Sequence, residues 1–338
     1  MKINEGIAAD APAWAQLLNL AAEKLGAKVL YATDDFFAEK ENLIKPGRGI
    51  FIPDEYTDRG KWMDGWESRR KRVPGHDWAI LELGASGVIH GVDIDTNHFL
   101  GNHPPHASLE ACRVPEGTSL ETLMKEETWT EILPKSPLNP GSQHYYAIES
   151  REIWTHLRLH IFPDGGVARL KVYGEVFKDW SVVSETETID LAAAKNGAKV
   201  LTCNDMFFSS KDNLIMPNRG VNMGDGWETK RNRTPGNVDW VILQLAHRGT
   251  IDEALVDTCH FKGNYPDRCS LEGCDLAAGE SWENANWTEF LPQVKLQADH
   301  EHPFKAELSA HGPFTHVRMK IYPDGGVSRL RLWGKIVK

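Results

Sequence analysis

Along residues 156–161 the chain reads His156-Leu157-Arg158-Leu159-His160-Ile161, polar and aliphatic in strict alternation. That period of two is the signature of a strand with one face toward a core. After a Pro163-Asp164-Gly165-Gly166 turn, residues 167–173 alternate again, so the pattern predicts a β-hairpin. Asp77-Trp78-Ala79-Ile80-Leu81-Glu82-Leu83 and Asp239-Trp240-Val241-Ile242-Leu243-Gln244-Leu245 read as short apolar strands entered from Pro-Gly turns. The one helical spacing is at residues 13–25, where Trp14, Leu17, Leu18, Ala21 and Leu25 fall near one face. Short strands broken by frequent turns predict an all-β chain of sandwich type with short helices.

The chain then repeats itself. Residues 20–49 and 191–220, 171 apart, are identical at 19 of 30 positions. Ten residues further on are absent from the second copy, because Asp64-Gly65-Trp66-Glu67 returns as Asp225-Gly226-Trp227-Glu228, 161 apart. The missing piece lies within Phe51 to Met63, whose Pro53-Asp54 and Arg59-Gly60 pairs read as a loop. Asp95-Thr96-x-His98-Phe99-x-Gly101-Asn102 returns as Asp257-Thr258-x-His260-Phe261-x-Gly263-Asn264, and Ser108-Leu109-Glu110-x-Cys112 as Ser270-Leu271-Glu272-x-Cys274. A duplicated unit of this size forms its own core. The expected domains are 1–178 and 189–338, with a polar linker near 179–188.

With 338 residues, 38 Lys+Arg and 48 Asp+Glu, the formal charge is −10, which disfavours nucleic acid as a partner. The most apolar stretch, residues 11–22, is too short to span a bilayer, and the start lacks the basic and apolar regions of a secretory leader. Five cysteines without a Cys-x-x-Cys pair suggest reduced thiols and a cytoplasmic location. No phosphate-binding Gly-rich loop, dinucleotide fingerprint or Gly-x-Ser-x-Gly elbow is present.

Four groups of repeated polar residues carry candidate chemistry. Asp64 and Glu67, followed by Arg69, Arg70 and Arg72, pair carboxylates with a guanidinium cluster. That combination can bind a small anion and supply a proton. The competing reading is an Asp-Gly turn, a core Trp and a solvated basic face. Asp225, Glu228, Lys230, Arg231 and Arg233 are the second-copy counterparts. Arg48 and Arg219 stand in Pro-x-Arg-Gly loops, suited either to forking a carboxylate or to capping loop carbonyls. His98 and His260, each after an Asp-Thr pair, can act as acid or base or be held by the neighbouring Asp. His98, His103 and His106 are weak metal candidates. Pro104-Pro105 forbids a helix there, and the second copy keeps only His260.

Together, Asn42-Leu43-Ile44-x-Pro46-Gly47-Arg48-Gly49, Met63-Asp64-Gly65-Trp66-Glu67-x-Arg69-Arg70, His76-Asp77-Trp78, the Asp93-to-Asn102 segment and Ala107-Ser108-Leu109-Glu110-Ala111-Cys112 resemble the allantoicase family over nearly the whole chain. The resemblance implies two tandem jelly-roll β-sandwich repeats, similar to galactose-binding-like modules. It also implies hydrolysis of allantoate to ureidoglycolate and urea in allantoin breakdown, in a cytoplasmic homo-oligomer acting on a small molecule. Cleavage at the substrate's α-carbon needs an anion clamp, an acid and a base, and no redox cofactor. The resulting expectation gives Glu67 and His98 as acid and base, oriented by Asp64. Arg48, Arg70, Arg72 and Asp95 would bind substrate, with Arg219, Glu228, Arg231 and His260 contributing from the second copy. No cofactor is required, and a divalent metal is left open. Two other readings compete: a non-catalytic binding module, and a metal-dependent amidohydrolase attacking a ureido carbonyl.

Overall fold

The computed structural model describes residues 7–338. Two compact units divide the chain at Phe177/Lys178. Each is built on one strand of 19 residues, Asp77–Asp95 in the first and Asp239–Asp257 in the second. The two apolar segments predicted as short strands are therefore only the first halves of much longer ones.

In the first unit, the Asp77–Glu82 half of the long strand pairs with Ile153–Phe162 and Lys28–Ala32. The Gly87–Asp95 half pairs with Arg169–Val176 and Tyr145–Ala147. The strand changes partners midway, as a strand shared between the two layers of a sandwich must. Glycine permits the change: a Cβ on Gly87 would lie 2.3 Å from the Glu175 carbonyl oxygen. Leu18–Asn19 extends one edge beside Arg169–Val176, while His106–Cys112 and Thr130–Pro137 extend the other beyond Ile153–Phe162. The second unit repeats this order with Ile189–Asp190, Arg329–Ile336, Asp239–Asp257, Phe314–Tyr322, Arg268–Cys274 and Thr288–Lys295. Fully buried Leu81, Ile94, Leu157, Leu159, Leu170 and Val172 fill the first core, the aliphatic half of the alternating pattern. The fold is all-β, with 3₁₀ turns and, among the described residues, one four-residue α-helix, Leu120–Leu123.

Two expected elements do not form. The hairpin across Pro163-Asp164-Gly165-Gly166 is absent, because Ile153–Phe162 and Arg169–Val176 lie on opposite edges of the long strand and pair with it, not with each other. The turn instead leads into Gly166–Val167, which pairs with Trp66–Glu67. The helix at residues 13–25 is broken into 3₁₀ turns at Ala13–Gln16 and Glu23–Leu25 around the edge strand Leu18–Asn19. Its apolar residues are satisfied by the sheet: Leu20 N–H donates to the Val172 carbonyl at 2.7 Å, and Trp14 packs on Tyr145 and Tyr173. Tertiary pairing outweighs a helical spacing this short.

Candidate active site

The Trp66–Glu67 strand, and Trp227–Glu228 in the second unit, position the site. Trp66 and Trp227 are fully buried, their indole N–H groups donating to the Asp34 and Asp205 carbonyls at 2.8 Å each. Pairing with Gly166–Val167 fixes the strand from one side, and a bridge to Ala38 from the other. The alternation that buries the Trp turns the next residue, Glu67, toward the surface, where it is half-buried.

Glu67 Oε1 accepts a hydrogen bond from Asn102 Nδ2 at 2.7 Å, and Glu228 Oε1 accepts one from Asn264. Burial pushes both carboxyl groups above the usual carboxylate range, and the amide hydrogen bond offsets part of that. The asparagine loop is held by the Pro-Asp-Gly-Gly turn, where Gly166 N–H donates to the Asn102 carbonyl at 2.8 Å. Gly165, at φ +135°, lies so close that a Cβ would meet that carbonyl oxygen at 2.5 Å. Asp164 Oδ2 in turn accepts from the Lys71 N–H, and Asp324 Oδ2 from the Asn232 N–H, ordering the basic segment after each Glu.

In the second unit these parts surround a cavity of about 590 Å³, lined by Phe208, Glu228, Arg231, Arg233, Asn264 and Tyr265 among others. The first unit places Phe37, Glu67, Arg70, Arg72, Asn102 and His103 at the corresponding positions. Arg70, Arg72, Arg231 and Arg233 are all exposed, free to turn toward an anion. A protonatable carboxyl, an amide and mobile guanidinium groups can together hold a small anion with amide-like arms and pass it a proton.

Other expected residues are committed elsewhere. Arg48 Nε and Nη2 donate to the two oxygens of Asp95 at 2.8 and 2.9 Å, so its fork is already filled. Arg219 makes the same pair with Asp257 at 2.9 and 3.0 Å. Asp95 is fully buried, and its Oδ1 also accepts from the Asn97 N–H at 2.9 Å. Asp64 Oδ2 accepts from Arg169 Nη2 and from the Ile50 N–H, both at 2.8 Å, and Arg329 holds Asp225 likewise at 2.9 Å. Asp64 therefore orients the loop after Arg48, and not Glu67 or His98.

His98 takes a positive φ of 68°, is exposed and stacks on Phe51 at 5.5 Å. No hydrogen bond or ion pair joins it to Glu67 among the described residues. His260, at φ 70°, sets its Nε2 2.8 Å from the Gly220 carbonyl oxygen. His98, His103 and His106 do not converge: among the described residues no three His, Cys, Asp or Glu side chains are grouped to hold a metal ion.

Several site-forming residues escape the sequence reading. Asn102 and Asn264 stand in a repeated motif, but only the fold shows that they reach Glu67 and Glu228. Arg169 and Arg329 follow the repeated turn at the same distance in both copies, which is a usable signal. Their partners lie more than a hundred residues away.

Two tandem copies of one β-sandwich, each carrying a half-buried Glu hydrogen-bonded to an Asn and followed by an arginine-bearing segment, define a duplicated jelly-roll protein. The allantoicase repeat model matches residues 18–177 and again 189–337. The chain is 50% identical over 333 residues to a Pseudomonas fluorescens protein named "Probable allantoicase", covering 97% of this chain and 99% of that one. It is also 50% identical to "Probable allantoicase 1" of Burkholderia mallei, covering 95% of each. The crystal structure of allantoicase from Saccharomyces cerevisiae superposes with a TM-score of 0.78 at 38% identity, over 95% of this chain and 94% of that one. The chain belongs to the allantoicase family, hydrolases of carbon–nitrogen bonds in linear amidines.

Proposed function

We propose that this chain hydrolyses allantoate to ureidoglycolate and urea, with Glu67 and Glu228 as the proton-transferring groups of two repeat-related sites. The single observation that carries the reading is the repeated Glu–Asn pair, its carboxyl raised by burial, which in the second unit lines one cavity with Arg231 and Arg233. Allantoate bears two ureido groups on the carbon next to its carboxylate. The protonated Glu gives its proton to the departing ureido nitrogen while the lone pair of the other nitrogen expels urea. Water then adds to the resulting acyl-imine-like carbon, losing a proton to a base. The exposed arginines take the carboxylate, and Asn102 or Asn264 holds the Glu and can pair with a ureido arm.

This assignment moves the anion clamp from Arg48 to Arg70 and Arg72, since the Nε/Nη2 edge of Arg48 is held by buried Asp95 while Arg70 and Arg72 are exposed. It calls for no metal step and no cofactor. A homo-oligomeric state and a cytoplasmic location belong to the same reading. The apolar residues Phe36, Ile50, Phe51 and Tyr56 exposed on the first unit support the former. The five free cysteines support the latter. No helix among the described residues is long and apolar enough to cross a membrane.

The test is Glu67→Gln, Glu228→Gln and the double variant, assayed for urea release. Each single change is expected to remove its own site's share, and the double to lower kcat by roughly 10²-fold or more, with folding intact. A double variant as fast as wild type overturns the assignment.

A further inference from the structure

A buried chain of titratable groups in the first repeat is left unused by this mechanism. Glu110, on the strand His106–Cys112, accepts at Oε2 from Arg158 Nε at 2.5 Å, and His160 Nε2 lies 2.7 Å from the same oxygen. Arg158 is balanced on its far side by Glu126, through hydrogen bonds of 3.0 and 2.9 Å. His160 Nδ1 then lies 2.8 Å from Nε2 of the half-buried His76. The second repeat keeps the carboxylate but not the relay: Glu272 is closed by Arg318 and Lys320 at 2.6 Å each.

The proton positions follow from elementary donor–acceptor counting. Burial would raise Glu110, but the hydrogen bonds from Arg158 and His160 outweigh it and hold the carboxyl below the usual range. A carboxylate only accepts, so His160 Nε2 carries the proton. Nδ1 of the neutral ring is then an acceptor, which makes His76 Nε2 the donor and leaves the lone pair on His76 Nδ1. The polarity of the whole chain is set by the Glu110 carboxylate at its end.

By correspondence with the second unit, His76 falls on the rim side of the first. It follows Pro74-Gly75 as Asn237 follows Pro235-Gly236. Asn237 donates to the Pro323 carbonyl and accepts from Asn232, and both Pro323 and Asn232 line the second-unit cavity. In the first unit the His76 ring lies 4.4 Å from that of Phe162, the residue before Pro163-Asp164. Its neighbour Lys71 donates to Asp77 at 2.6 Å.

We propose that Glu110, His160 and His76 form a proton relay serving the first repeat's hydrolytic site, with His76 as the base and Glu110 and His160 positioning it. This rests on the hydrolysis reading above. The attacking water gives its proton to His76 Nδ1 as its oxygen bonds to the substrate carbon. The Nε2 proton passes to His160 Nδ1, and the imidazolium formed rests against Glu110. His160 Nδ1 then returns its proton to His76 Nε2 and His76 Nδ1 releases one to solvent, while solvent returns one to Glu67, which lost one to the departing urea, so the cycle closes.

The charged groups facing His76 are His160, Lys71, Asp77 and Lys135, and those facing His160 are Glu110, Arg158 and Glu126. Burial is the main influence on both rings and pushes both below the ordinary histidine range. The base is therefore neutral at pH 7: its contribution is lost as pH drops through a value below that range, and that of Glu67, whose carboxyl burial raises, is lost as pH climbs past it.

The experiment measures kcat and KM against pH in the Glu228→Gln protein, where only the first site is left, alone and combined with His76→Asn or His160→Gln. Gln at 160 can still bridge His76 and Glu110 but takes no proton. The expected result is a kcat loss of about 10²-fold for His76→Asn and a smaller loss for His160→Gln, KM within about twofold, and the acid limb removed or moved. Ring resonances of His76 and His160 should titrate together and uncouple in Glu110→Gln. Unchanged kcat in both variants, a loss confined to KM, or independent titration overturns the relay. So does a Glu228→Gln protein without turnover while wild type is active. Wild type inactive on allantoate overturns the hydrolysis reading itself, which separates the two failures.

Discussion

Arg48 and Arg70 show how two guanidinium groups in one family motif come to different ends. Arg48 is forked to a fully buried carboxylate, and Arg70 carries no such partner and is exposed. Removing one partner of a buried pair strands the other, at a cost of about 3–5 kcal/mol. Arg48→Ala is accordingly expected to lower the melting temperature sharply while KM for allantoate stays within about twofold. A raised KM in a protein of wild-type stability would return Arg48 to the substrate. At this scale the sequence identifies which residues matter better than what they do. Repetition at a fixed offset singles out Glu67, Asn102, Arg48 and Asp95. Whether a given Arg faces a ligand or an Asp 47 residues away depends on long-range pairing that local context does not encode.

At the scale of elements, alternation finds the strands but not their partners. The aliphatic half of Ile153–Phe162 is core as its period requires, yet the polar half is buried too. His156, Arg158 and His160 are 3%, 2% and 9% exposed. The Glu110 and Glu126 pairs that make this affordable lie on other segments. The Pro-Asp-Gly-Gly turn was readable as a turn, and its role in bracing the asparagine loop was not. The segment peculiar to the first repeat folds back as a small exposed hairpin, Tyr56–Thr57 with Gly60–Lys61. Lys61 Nζ lies 4.5 Å over the Phe51 ring, and Arg59 donates to the Phe36 carbonyl at 3.4 Å, beside Phe37 and Glu67. Allantoate's two ureido arms are enantiotopic, and we propose that this hairpin, present only in the first repeat, helps choose between them there. Deleting Arg59–Trp62 is expected to leave stability within about 0.5 kcal/mol, since these side chains are mostly exposed. It should also alter either kcat/KM or the handedness of the product. Unchanged rate and unchanged handedness together would remove the hairpin from the site.

At the scale of the whole chain, duplication is the dominant fact. It was legible from residues 20–49 and 191–220 alone, and it makes each repeat the internal control for the other. The shared parts, Glu–Asn, Arg–Asp and the buried Trp, recur in both repeats. The parts that differ, the hairpin and the Glu110–His160–His76 chain, belong to the first repeat. A net charge of −10 does not oppose an anionic substrate, because the arginines after each Glu supply a local field of opposite sign at short range. The most direct measurement is product analysis: purified protein with allantoate, urea and ammonia quantified, ureidoglycolate resolved by chirality, with and without a chelator. The account predicts stoichiometric urea, a single ureidoglycolate enantiomer, no ammonia and a rate indifferent to the chelator. Ammonia in place of urea, or activity lost to the chelator and restored by one divalent ion, would contradict it.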